Sequence, residues 1–143
     1  MSAEKKVGLI GLGIMGSAIA PNLIAAGFHV VGFDVDAKRC AENKIAGVDI
    51  VGSAAAVAVS THTILTSLPH EKALAETVRS IIASGVSSRT VIEVSTMTLE
   101  SKAAAETALS QAGHIMLDCP LSGTGAQAKN KDLTVYASGN SSA

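Results

Sequence analysis

Short apolar runs alternate with helically spaced apolar positions along almost the whole chain. Val7–Ile10 is an apolar run that ends in glycines and predicts a buried strand. Val30–Phe33, Val48–Val51, Thr63–Ser67, Thr90–Val94, Ile115–Leu117 and Leu133–Ala137 are strands by the same criterion. Met15–Ala26 predicts a helix with Ile19, Leu23 and Ala26 on one face and Gly27 as its stop. Ala37–Ile45 is a short helix stopped by Gly47, and Ser53 is a cap for an Ala/Val helix reaching Ser60. Glu71–Ala83 turns Leu74, Val78, Ile81 and Ile82 inward, and Leu99–Ala112 is an Ala-rich helix stopped by Gly113. Pro21 falls inside the first helix, where it bends the helix or costs about 3 kcal/mol. Strands alternating with helices in this way predict βαβ units and an α/β fold with a mostly parallel sheet.

Composition narrows the function classes. Hydrophobic residues make up 48% of the 143 residues and charged residues 16%, which excludes disorder. Aromatics are 2%, so the core is built from Val, Ile, Leu and Ala, as suits strands covered on both faces. The formal net charge is -1, with no basic block, so nucleic acid is not an expected partner. No apolar stretch approaches the ~18 residues of a membrane helix. Cys40 and Cys119 lack CxxC spacing, which points to a reduced, cytoplasmic setting. His29, His62, His70 and His114 show no metal spacing, and no metal is expected. The start, from Lys5-Lys6 to Ala18-Ile19-Ala20, has some signal-peptide character. Its glycines fit a strand–turn–helix better, and cleavage there would remove the first strand.

Gly11-Leu12-Gly13-Ile14-Met15-Gly16 carries the main chemical signal. This GxGxxG directly follows a strand and opens a helix, and Asp34 ends the second strand at about the 20-residue interval that a dinucleotide site requires. Gly11 permits the tight turn, Gly13 lets a diphosphate approach the backbone, and Gly16 lets the helix pack on the strand. The helix start offers free N–H groups and partial positive charge to the phosphates. Ile14 and Met15 line the turn. The bland alternative is a Gly-rich turn with no ligand. Asp34 accepts hydrogen bonds from the adenosine ribose and repels a 2′-phosphate, so NAD is the expected cofactor and NADP the less suited one. Lys38 and Arg39 come late after the strand and are read as a solvated helix face. The fold expected is a Rossmann-type, doubly wound sheet.

The run Val7–Gly16, continued by Ala20, Asn22-Leu23 and Gly27, resembles the β-hydroxyacid dehydrogenase family, and more distantly 6-phosphogluconate dehydrogenase. The resemblance covers the whole chain and includes three further segments. Thr66-Ser67-Leu68-Pro69 resembles the family's loop over the adenosine side of the cofactor, which implies contacts from Leu68 and Pro69. Glu93-Val94-Ser95-Thr96 resembles the segment whose Ser/Thr meets the nicotinamide end, a role that falls on Thr96; alternatively Ser95 or Thr96 caps the next helix. Asp118-Cys119-Pro120-Leu121-Ser122-Gly123 resembles the substrate-binding segment, implying that Ser122, Gly123 and Thr124 hold a substrate carboxylate through a hydroxyl and backbone N–H groups. Thr124 departs from the family's second glycine, and Lys131 stands where the family has Gly. Cys119 is read as packing.

The resemblance implies hydride transfer between NAD and a small 3-hydroxy acid, of the 3-hydroxyisobutyrate or tartronate semialdehyde kind. It also implies a homo-oligomeric full-length enzyme. The family's proton-transferring lysine lies on a helix after this domain, and none of the chain's lysines matches it. Residues 1–143 are therefore expected to be the dinucleotide-binding domain, with no catalytic residue of its own, cut before the all-helical domain, and inactive alone. Two alternatives remain: a non-catalytic nucleotide-sensing module, and an NADP-dependent 6-phosphogluconate dehydrogenase-like domain, against which Asp34 argues. His70, after Pro69, is placed at the surface.

Overall fold

The computed structural model describes residues 5–143. Its elements run β1 (Lys6–Ile10), α1 (Ile14–Ala25), β2 (His29–Phe33), α2 (Ala37–Ile45), β3 (Asp49–Ile50), α3 (Ala54–Ser60), β4 (Thr63–Thr66), α4 (Glu71–Ala83), β5 (Thr90–Glu93), α5 (Leu99–Gln111) and β6 (Ile115–Asp118). The six strands form one sheet in the order β3-β2-β1-β4-β5-β6, and every pairing is parallel. The order reverses between β1 and β4, so the crevice beyond their carboxyl ends is the position at which such sheets bind ligands. Ile10 is in register with Phe33 and Thr66, Thr66 with Glu93, and Glu93 with Asp118. One rim of the sheet thus carries the end of every long strand.

Both faces of the sheet are covered, which explains strands that are apolar without alternation. On one face Ile10, Val31, Ile64 and Val91 pack with Val57, Leu74, Val78, Ile81 and Leu109 from α3, α4 and α5. On the other, Val7, Leu9 and Val30 pack with Leu12, Ala20 and Val48. The inward face of α1 differs from the expected one. Gly16, Ala18 and Ala20 are its buried residues, Ile19 and Leu23 are half-buried, and Ala26 is exposed beyond the helix end. The close approach is at the helix start, where a Cβ on Gly16 would meet the Gly11 carbonyl oxygen; further along, Ala20, Leu23 and Ile24 pack on the second cluster. The helix is unbroken past Pro21, whose ring is exposed.

The last part of the chain also departs from expectation. β7 (Leu121–Ser122) and β8 (Thr134–Val135) form a separate antiparallel pair, joined through α6 (Gly125–Lys129). The strand expected over Leu133–Ala137 is therefore shorter and lies outside the main sheet. A five-residue helix is too short to show a helical period in sequence. α6 docks on α1, where the Asn22 side chain donates to the Ala128 carbonyl at 2.8 Å. Among the described residues no helix is long and apolar enough to cross a membrane.

At the opposite rim His114 is buried, its Nδ1 accepting from the Arg89 backbone N–H at 3.1 Å. Its Nε2 has no hydrogen-bond partner among the described residues. Burial first, and the Arg89 charge second, hold the imidazole below its ordinary value of 6.5. The unfolded chain then takes up this proton at a higher pH than the folded one, so stability falls as pH drops below 6.5. Urea unfolding at pH 7 and pH 5.5 is expected to show a smaller loss in His114→Asn, which keeps an acceptor for Arg89 without titrating. Equal losses would remove His114 as the cause.

Candidate functional site

The turn between β1 and α1 sits on the crevice at the point of reversal. Gly11 holds φ +94, a left-handed conformation that glycine adopts without strain. Its N–H donates to the Phe33 carbonyl at 2.9 Å, and a Cβ there would overlap the Ser67 carbonyl oxygen. A Cβ on Gly16 would overlap the carbonyl oxygen of Gly11, so α1 rests directly on the turn. Gly13 is different. The atoms nearest to a Cβ there belong to Arg39, at 3.6 Å, so its missing side chain leaves accessible space.

Capping separates α1 from its neighbours. Asp36, Ser53, His70, Thr98 and Thr124 each cap α2 to α6 with a side-chain acceptor. Gly13, the N-cap of α1, provides none. The first-turn N–H groups of α1 are thus left for solvent or an anion. Leu12 is buried in the core, and its N–H is held by Asp34. Ile14 is exposed and Met15 half-buried, both in the first turn of α1.

Asp34 is buried at the end of β2. Its carboxylate accepts from Leu12 N–H at 2.7 Å and from Asp36 N–H at 2.8 Å. A carboxylate has about four lone-pair sites, so acceptor capacity remains for a hydroxyl. Lys38 and Arg39 are both exposed on α2, but they point differently. Lys38 is solvated and lies 3.9 Å from Glu42, but Arg39 folds back to within 3.8 Å of Asp34 Oδ2. Asp36, three residues earlier and also exposed, lies 3.9 Å from its Nε.

A cleft of about 460 Å³ opens here, within the range of small-molecule sites. Its walls include Gly11, Asp34, Arg39, Ser53, Leu68 and Pro69. A shallower groove continues through His70 and Lys72 to Thr96 and Thr98. Leu68 and Thr96 are therefore on one continuous surface. His70 is exposed, as expected, and its Nδ1 caps α4 by accepting from Ala73 N–H at 3.1 Å. Capping of α5 falls to Thr98, not to Ser95 or Thr96. The Ser95 hydroxyl instead accepts from Leu68 N–H at 2.8 Å, tying the two loops together, and Thr96 stays exposed.

Below Thr96 lies a charge cluster that sequence reasoning missed. Glu93 is fully buried and accepts from the Thr66 hydroxyl and from Ser95 N–H at 2.6 Å. Lys102, also buried, stands 3.9 Å from Glu93 and donates to Asp118 at 2.6 Å. The spacing of Lys102 with Ala105 and Leu109 was the available signal, since it puts all three on the inward face of α5.

Residues 6–143 match the family described as the NAD binding domain of 6-phosphogluconate dehydrogenase. The chain belongs to this family. It is 31% identical to rat mitochondrial 3-hydroxyisobutyrate dehydrogenase, over 97% of this chain and 42% of that protein. It is 33% identical to the L-threonate dehydrogenase of Escherichia coli, over 96% of this chain and 47% of that protein. The 3-hydroxyisobutyrate dehydrogenase of Mycobacterium tuberculosis, solved with L-serine, superposes with a TM-score of 0.93 at 24% identity, covering 98% of this chain and 48% of that one. The chain thus spans a little under half the length of these relatives. It is an NAD(P)-binding Rossmann domain of the β-hydroxyacid dehydrogenase kind.

The two departures from the family pattern acquire physical roles. Thr124 caps α6: its hydroxyl accepts from Gln127 N–H at 3.2 Å, and its own N–H donates to the Gln127 side chain at 2.8 Å. That N–H is therefore not free for a carboxylate. Ser122 lies on β7 and is exposed, and Gly123 holds φ +145. Lys131 holds φ +59, which explains the glycine expected there. Cys119 is buried, and burial pushes its thiol up, consistent with packing.

Lys131→Gly is expected to raise stability in urea unfolding by about 1 kcal/mol, through relief of left-handed strain; a loss would mean that the Lys131 side chain contributes more than its backbone costs. Lys102→Ala leaves Glu93 buried beside no cation and is expected to cost about 3–5 kcal/mol in the same assay. A loss under about 1 kcal/mol would mean the cluster behaves like an exposed pair.

Proposed function

We propose that this domain holds NAD for a dehydrogenase that moves a hydride to or from a small 3-hydroxy acid. The observation that carries the reading is the uncapped start of α1, opened by Gly13, on the crevice between β1 and β4. The diphosphate would lie against the first-turn N–H groups of α1, with Gly11, Gly13, Ile14, Met15 and Gly16 forming the cradle. Leu12 acts by fixing Asp34, whose spare lone pairs take the adenosine ribose. Leu68 and Pro69 would cover the adenosine side, and Thr96 would meet the nicotinamide end of the groove.

The bound nicotinamide supplies the carbon that accepts or gives the hydride. This chain's residues bind and orient. The Ser122 hydroxyl and Gly123 N–H would hold the substrate carboxylate, while Thr124 fixes the loop through its cap. A general acid/base must reach the substrate oxygen within about 3 Å, and we assign that task to a lysine outside residues 1–143, in the helical part of a homo-oligomeric enzyme. A reducing, cytoplasmic compartment suits the two free thiols, Cys40 and Cys119.

Calorimetric titration of the chain tests this reading. The wild type is expected to bind NAD more tightly than NADP, because Asp34 disfavours a 2′-phosphate. Gly13→Val is expected to weaken NAD by more than about tenfold, or about 1.4 kcal/mol, while its unfolding midpoint stays close to wild type, since a Cβ there meets only the exposed Arg39 guanidinium at ordinary contact distance, 3.6 Å. Asp34→Ser should narrow the NAD/NADP ratio. Absence of NAD binding would overturn the reading as a whole, and an unchanged ratio would overturn the role of Asp34.

A further inference from the structure

Ser122, the residue assigned to the substrate carboxylate, does not stand on the main sheet. It stands on a two-stranded ribbon that leaves the sheet at Asp118. Asp118 ends β6, and its N–H and carbonyl also exchange hydrogen bonds with Ser138, at 3.0 Å and 2.9 Å. Tyr136 N–H donates to the Pro120 carbonyl at 3.1 Å, and Leu121 and Ser122 then pair with Val135 and Thr134. The outgoing and returning strands of the ribbon therefore share one root. The ladder to β5 reaches Cys119, whose N–H donates to the Glu93 carbonyl at 2.8 Å. Pro120 has no N–H to continue it. Beyond that point the direction of the ribbon depends on how Asp118 is held and on the docking of α6 against α1.

Asp118 is held from α5. Glu93 and Asp118 are in register at the ends of neighbouring strands, where two carboxylates repel each other. Lys102 reaches them from the inward face of α5, its side chain 7% exposed. Its ammonium donates to Asp118 at 2.6 Å, a charge-assisted hydrogen bond, and stands 3.9 Å from Glu93, a distance at which charge alone acts. Glu93 in turn holds the Ser95 N–H and the Thr66 hydroxyl. One ammonium thus fixes the root of the substrate ribbon against the loop that carries Ser95 and Thr96.

We propose that Lys102 is a positioning residue for the substrate, setting Ser122 and Gly123 against the nicotinamide end of the groove through Asp118, without touching either ligand. The inference rests on the dinucleotide and substrate reading above and deepens it. A cation needed only for stability can be replaced by apolar packing once its partner is neutral. A cation that directs the ribbon cannot, because the link to Asp118 is lost with it.

The test compares the wild type, Lys102→Arg and the double variant Glu93→Gln/Lys102→Met, in which the buried carboxylate charge is removed together with the cation. Amide hydrogen exchange is read by NMR at Tyr136 and Ser138 in the ribbon and at Ser67 and Thr90 in the sheet. The double variant is expected to speed exchange at the two ribbon amides about tenfold beyond any change at the two sheet amides. Its NAD affinity should stay within about twofold of wild type, while the concentration of 3-hydroxyisobutyrate that shifts the Ser122 and Gly123 amides of the NAD-bound chain should rise about tenfold. Lys102→Arg keeps the charge and should stay near wild type in all three readings. If the double variant does not fold, Asp118→Asn, which weakens the same link from its half-exposed side, decides by the same readings. Exchange that rises equally at all four amides, or an unchanged 3-hydroxyisobutyrate midpoint, would overturn the inference. A wild type that binds NAD but whose Ser122 and Gly123 amides ignore 3-hydroxyisobutyrate would overturn the substrate reading beneath it, and one that binds no NAD the dinucleotide reading. In both of those cases the exchange pattern still decides whether Lys102 directs the ribbon.

Discussion

The position of α1 follows from one contact, in which the Gly16 backbone lies against the carbonyl oxygen of Gly11 with no room for a Cβ between them. That approach sets the height of the helix start over β1, with Ala20 one turn on packed against the same core. It also aims the uncapped helix start into the crevice where the strand order reverses. A larger residue at position 16 would lift the helix and move every first-turn amide with it. The anion-facing geometry thus depends on packing and not on any charged side chain.

The rim beside the turn is organised by buried polar groups. Asp34 locks the turn to the end of β2 through two backbone N–H groups. Glu93 does the same between β4 and β5, with Thr66 and Ser95, and Lys102 carries the link to Asp118 on β6. Each loop that would meet ligand is therefore tied to its neighbour by an acid placed at a strand end. Buried ion pairs add little net stability over apolar packing, but removing one partner is costly. Their use here is to hold several loops in one arrangement.

Much of this was legible in the sequence, and the rest was hidden for identifiable reasons. Strands buried on both faces and helices with glycine stops repeat at a length where pattern is reliable, so the eleven elements from β1 to β6 follow from periodicity and capping residues such as Ser53. The GxGxxG turn was legible because each glycine meets a distinct steric demand. The five-residue α6 and the short β7–β8 pair were not, because neither is long enough to show a period. The ion pairs of Arg39 were hidden for a different reason. Its position on α2 predicts the exposure it has, but its approach to Asp34 and Asp36 is a tertiary contact that local pattern does not contain. Lys102 was overlooked because a helix of small residues conceals which positions face inward.

The hydrogen bond from Asn22 to the Ala128 carbonyl joins positions 106 residues apart. Contacts of such separation form only after the intervening chain has been brought together, because loop closure must precede the gain. The terminal hairpin and its short helix are therefore held by a contact with a high closure cost. The surface that would meet the smaller ligand closes the two ends of the domain onto each other.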